Sequence, residues 1–136
     1  MAKKRTYSTV LNEILIDLKN VHDYQWKELF SLSKGFHHFS EGLVFARGDY
    51  PRWEKKFFEK MVETATIPSH WLSIAHSAER YSPEWNNAVD KLLQDARVMN
   101  IANRWINIRL ILPPNHACMK EVRSKISDLR NARKKG

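Results

Sequence analysis

Six histidines and a single cysteine, His22, His37, His38, His70, His76, His116 and Cys118, are the side chains of this 136-residue chain best suited to metal or nucleophilic chemistry. A structural zinc site needs four closely specified nitrogen or sulfur ligands, and a helical zinc enzyme needs His-Glu-x-x-His. Neither pattern is present. His70 and His76 are six residues apart, on opposite sides of a helix, and His116 with Cys118 supplies only two ligands. Cys118 stands beside Met119 on the apolar side of an expected helix, where a thiol is buried and inert. His38, Ser40 and Glu41 have the residue types of a hydrolytic triad, but near-adjacent helical positions point in different directions and no Gly-x-Ser-x-Gly elbow accompanies them. Four scattered glycines cannot build a phosphate-cradling loop. The expectation is a protein that is not an enzyme and uses no metal and no cofactor.

Basic side chains offer better material. The 23 Lys and Arg outnumber the 15 Asp and Glu, for a formal net charge of +8. Residues 1–5 hold Lys3, Lys4 and Arg5 with no acid, and residues 117–136 hold Lys120, Arg123, Lys125, Arg130, Arg133, Lys134 and Lys135 against Glu121 and Asp128. Between them, 13 basic residues balance 13 acidic ones. An excess confined to two ends suits arms that reach for a polyanion, while the body follows ordinary solubility rules. One internal set joins them: Arg97, Asn100, Arg104 and Asn107 recur at i, i+3, i+7 and i+10 and would line one side of a continuous helix. Arginine and asparagine bind phosphates and base edges through directed hydrogen bonds. The same seam could equally hydrogen-bond to neighbouring loops. A second basic cluster, Arg47, Arg52, Lys55, Lys56 and Lys60, is interleaved with Asp49, Glu54, Glu59 and Glu63 and reads as a solvated, ion-paired face.

Trp26, Trp53, Trp71, Trp85 and Trp105 each fall on or beside an apolar stripe, so packing rather than base stacking is expected of them. Tyr7 and Tyr24 point away from their stripe and are the aromatic residues expected to be exposed.

The elements that must position these groups read as helices throughout. The first runs from a cap at Ser8 or Thr9 to Gly35, with Leu11, Leu15, Leu18 and Leu29 on one face. Residues 36–46 form a shorter piece, and Pro51 opens a helix that continues to about Thr66. Ser69 caps a short helix carrying Trp71 and Ile74. Ser82-Pro83-Glu84 then starts a long rod ending at Leu112, before Pro113-Pro114. Two apolar stripes on that rod imply two packing partners, and Asn115 caps a final basic helix.

The resulting expectation is an all-α fold: a compact bundle of five to six helices around a long central helix at about residues 83–112. It forms a single helical domain, 1–136, with a basic arm at 1–5 and a basic helix and tail at 116–136. No targeting segment or bilayer-spanning stretch is legible, so a cytoplasmic location is expected. The expected function is sequence-independent binding of RNA or DNA backbone through Lys3, Lys4, Arg5, Lys120, Arg123, Lys125, Arg130, Arg133, Lys134 and Lys135, with Arg97 and Arg104 as a second set. Other protein subunits would be further partners, as in a ribonucleoprotein or DNA-processing complex, with no membrane and no small-molecule cofactor. The alternative is an adaptor or inhibitor that binds protein through an aromatic-rich surface.

Overall fold

The computed structural model describes residues 5–135, and side chains as far as residue 133; Lys3, Lys4 and the side chains of Lys134 and Lys135 lie outside the described residues. Every regular element among them is helical: α1 (Tyr7–Ile16), a 3-10 turn (Leu18–Asn20), α2 (Asp23–Leu32), α3 (Phe36–Ala46), α4 (Pro51–Thr64), α5 (Pro68–Ser77), α6 (Pro83–Met99), α7 (Ala102–Ile111) and α8 (Met119–Lys135). The all-α expectation holds, but eight α-helices replace five or six. No described helix is long and apolar enough to cross a membrane. The chain forms two compact units, Met1–Ala65 and Thr66–Gly136.

In the first unit α3 packs extensively on α4, and α1 on α2. The continuous helix expected over residues 8–35 is broken after Ile16. Thr6, not Ser8 or Thr9, caps α1 by accepting the Thr9 N–H. The chain turns at Asp17 because Tyr50 captures it: the Tyr50 hydroxyl donates to the Leu18 carbonyl at 2.8 Å and accepts the Val21 N–H at 2.9 Å. These two bonds satisfy backbone groups that an uninterrupted helix would have paired internally. His22 and Gln25 then open α2 with a reciprocal capping box. Gly35, expected to close the first helix, instead stands in extended conformation at the start of α3. The core is a cluster of rings: Phe30 lies 5.5–6.0 Å from Phe39, Trp53 and Phe57, and Trp26 lies 5.1 Å from Tyr50 and 6.0 Å from Phe57. Gly42 lets α3 approach that cluster, since a Cβ there would sit 2.4 Å from the Phe57 ring.

In the second unit α5 packs on α6, α6 on α7, and α7 on α8. The expected rod over residues 83–112 is two helices. Asn100 adopts the left-handed conformation (φ 47°, ψ 49°), which asparagine tolerates better than most residues, and its N–H closes α6 on the Ala96 carbonyl. Ile101 is extended and α7 starts again at Ala102. The two stripes read on one rod therefore belong to separate helices. α5 begins at Pro68 with Ile67 in the capping position, so Ser69 is inside the helix rather than its cap. The last helix starts at Met119, four residues after Asn115. Ile74, Val89, Leu92, Leu93, Ile108, Val122 and Ile126 are buried, as are Trp85 and Trp105.

Four of the five tryptophans are buried, with Trp71 half-buried. Tyr24 is exposed as expected, but Tyr7 is not. It stacks on His38 with ring centroids 3.8 Å apart and donates to Glu41 at 2.7 Å. Burial, with the Glu41 carboxylate beside it, pushes its phenol well above the ordinary range.

Candidate nucleic-acid interface

The expected seam of Arg97, Asn100, Arg104 and Asn107 does not exist as a line of free donors. Asn100 is the helix break itself. Arg97 donates through Nε and Nη2 to both carboxylate oxygens of Glu121, at 3.0 and 2.7 Å, and so ties α6 to α8. Hydrogen bonding to the charged forms raises the Arg97 pKa and holds the Glu121 carboxyl below the usual carboxylate range. Arg104 Nε lies 3.1 Å from Asp95 Oδ2 across the α6–α7 joint. Its N–H is not aimed at that oxygen, and both atoms are buried without a hydrogen bond, so this pair is electrostatic. Both arginines serve the fold.

Arg5 is similarly engaged: its guanidinium meets Glu13, and its Nε donates to Glu28 at 3.0 Å, which joins the segment before α1 to α2. The interleaved cluster is ion-paired in part: Arg47, after α3, lies 3.8 Å from Glu54, Arg52 lies 3.6 Å from Asp23 of α2, and Lys60 lies 3.3 Å from Glu63. Lys56 lies 4.9 Å above the Trp53 ring.

The basic C-terminal helix behaves differently. Met119, Val122 and Ile126 bury one face of α8, while Lys120, Arg123, Arg130 and Arg133 are exposed and Lys125 is half-buried. Lys125 lies one turn from Glu121 and, after Arg97, helps to hold its carboxyl below the usual range, whereas Lys120, Arg123, Arg130 and Arg133 form no ion pair among the described residues. Arg123 and Arg130 line a cleft of about 210 Å³ together with Ile126, Ser127 and Asn131 of α8 and Arg109 of α7. Arg109 is half-buried and also lacks an ion-pair partner among the described residues. It lies outside the two basic ends and outside the i, i+3, i+7, i+10 set from Arg97 to Asn107. Its place in the last turn of α7, directly before the Pro113-Pro114 stop, was the available signal.

Four of the histidines brace the backbone, His22 through its capping box and three more through Nδ1. His38 and His70 occupy equivalent positions in the first turns of α3 and α5, and each Nδ1 accepts a backbone N–H from four residues earlier, Lys34 at 3.0 Å and Thr66 at 3.1 Å. Each ring thereby ties the residue just before the capping Gly35 or Ile67 back to the first turn of its helix. His116 Nδ1 accepts the Cys118 N–H just before α8. No group of three or more His, Cys, Asp or Glu among the described residues could hold a metal ion.

Comparison with protein-family models, with curated proteins and with solved structures finds no match.

Proposed function

We propose that the chain binds the phosphate backbone of RNA or DNA without sequence preference and without catalysis, and that α8 with the end of α7 is its contact surface. The observation that carries this reading is that Arg109, Arg123 and Arg130 meet in one cleft with no carboxylate to neutralise them, in a fold that pairs Arg5, Arg97 and Arg104. A polyanion relieves that concentration of charge and releases its own counterions in doing so. Lys120, Lys125 and Arg133 extend the surface along α8 and Lys134 and Lys135 follow them in the chain, while Lys3 and Lys4 are further basic residues of the N-terminal arm. Such a protein suits a small helical subunit of a ribonucleoprotein or DNA-processing complex. An anisotropy titration with single-stranded and duplex RNA and DNA tests it, at about 50 and about 200 mM salt. Binding at the lower salt that weakens steeply at the higher is the expected result. No binding to any of the four at low salt overturns the reading.

One observation favours the protein-binding alternative. Val98, Met99 and Ile101, flanking the Asn100 break, are 84, 49 and 45% exposed. An interface there would be aliphatic rather than aromatic, since four of the five tryptophans are buried. Its affinity would change little with salt.

A further inference from the structure

Arg109, Arg123 and Arg130 cannot relieve their mutual repulsion by losing protons, because guanidinium stays charged throughout the accessible pH range. The remaining groups of their cleft, Ile126, Ser127 and Asn131, are uncharged. Neither carboxylate of α8 is available to it. Glu121 is held by Arg97 at both oxygens. Asp128 lies about 140° around the helix from Arg123 and about 160° from Arg130, at roughly 100° per residue. The arginines also come from two elements: Arg123 and Arg130 are seven residues apart on one face of α8, about 10 Å along its axis, and Arg109 arrives from α7. Ser127 lies between the two on the same face and adds a hydroxyl; Asn131 adds an amide donor.

We propose that this cleft is a discrete phosphate seat, in which Arg109 joins Arg123 and Arg130 in binding the oxygens of one phosphate group. The ligand chemistry is a phosphate oxyanion, and the source favoured here is an internal phosphodiester of a nucleic-acid strand lying along α8. The seat deepens the nucleic-acid reading and rests on it for that source. Planar forks from two helices fix the phosphate's position as well as its charge, which a row of lysines on one helix would not do.

The test uses the full chain and a labelled single-stranded 12-mer, with helical content checked by circular dichroism. Arg109→Gln weakens binding about tenfold and makes the salt dependence shallower by about one phosphate. Arg109→Lys keeps the charge but loses the fork, and falls between Gln and the parent. Lys27→Gln, an exposed charge removed from α2, leaves binding unchanged. An Arg109→Gln curve that superimposes on that of Lys27→Gln overturns the seat even if the parent binds tightly. Pyrophosphate alone supplies the second readout. It raises the melting temperature of the parent and not of the Arg109, Arg123, Arg130 triple Gln variant, and an equal rise or no rise in both also overturns the seat. Pyrophosphate binding without nucleic-acid binding keeps the seat and discards the nucleic-acid reading. Equal affinity for 5′-hydroxyl and 5′-phosphate strands supports an internal phosphodiester; dependence on the 5′-phosphate supports the seat with a terminal phosphate as its ligand.

Discussion

The two units of this chain are each built from four α-helices, yet they treat charge in opposite ways. Residues 1–65 carry eleven Lys and Arg against nine Asp and Glu, net +2, and their arginines are committed: Arg5 to Glu13 and Glu28, Arg47 to Glu54 and Arg52 to Asp23. Residues 66–136 carry twelve against six, net +6. Their pairs, Arg97 with Glu121 and Arg104 with Asp95, join helices near the α6–α7 joint, while the arginines at the end of α7 and along α8 have no carboxylate partner among the described residues. The contrast extends to the cores, a ring cluster in the first unit and mostly aliphatic residues with two tryptophans in the second. In the first unit the arginines face local acids; in the second, those of the α7–α8 cleft do not.

The largest expected effects lie in the ring cluster. Trp26→Ala should cost about 3–5 kcal/mol, because the ring is wholly buried against Tyr50 and Phe57. Trp26→Phe should cost much less, since the indole N–H it removes makes no hydrogen bond. Chemical denaturation measures both, and equal losses would contradict the ring-packing account. Gly42→Ala should destabilise by roughly 1–3 kcal/mol despite alanine's better helix propensity, because its methyl meets a Phe57 ring that is 0% exposed. An unchanged denaturation midpoint would show that α3 and α4 can move apart.

Glu121→Gln blurs the contrast by turning a committed arginine into a free one. It should strengthen nucleic-acid binding a fewfold while lowering stability by less than about 1 kcal/mol at neutral pH, as expected for a pair this exposed. The Glu121 pKa is depressed in the folded state, so the pair's contribution is present above the unfolded carboxylate value and lost as pH falls through the folded one. The stability difference between parent and variant should therefore vanish in acid, and a constant difference would contradict it. The smallest effect belongs to His70, whose pKa burial lowers. The unfolded state then takes up its proton first as pH falls below about 6.5, and stability drops. His70→Gln should flatten the change in melting temperature between pH 7.5 and 5.5; an unaltered slope would remove His70 from the account.

The helical class, the proline-led starts of α4 and α6 and the burial of most tryptophans were legible in the sequence, because periodicity and first-turn prolines are local signals. The two breaks were not. Residues 17–21 keep a helical apolar pattern, and the turn there is held by Asn20 on Asp17 together with the distant Tyr50 hydroxyl. Asn100 fits the middle of a helix as easily as its left-handed end, and missing it turned Arg97 and Arg104 into a false seam. The cations of α8 could be read from charge counting, but which of them are free depends on Arg97 having already taken Glu121. Arg109 belongs with them only through the approach of α7 to α8.

The salt dependence of nucleic-acid affinity tests the contrast most directly, measured for three chains: the parent, the Arg109, Arg123, Arg130 triple Gln variant, and a Lys19, Lys27, Lys55 triple Gln variant of the first unit. Both variants lose three charges, so net charge cannot distinguish them. The free-arginine account predicts a slope shallower by about three phosphates for the first variant, and a slope unchanged from the parent for the second. Equal changes in the two would contradict it, because binding would then follow total charge rather than the unpaired arginines of α7 and α8.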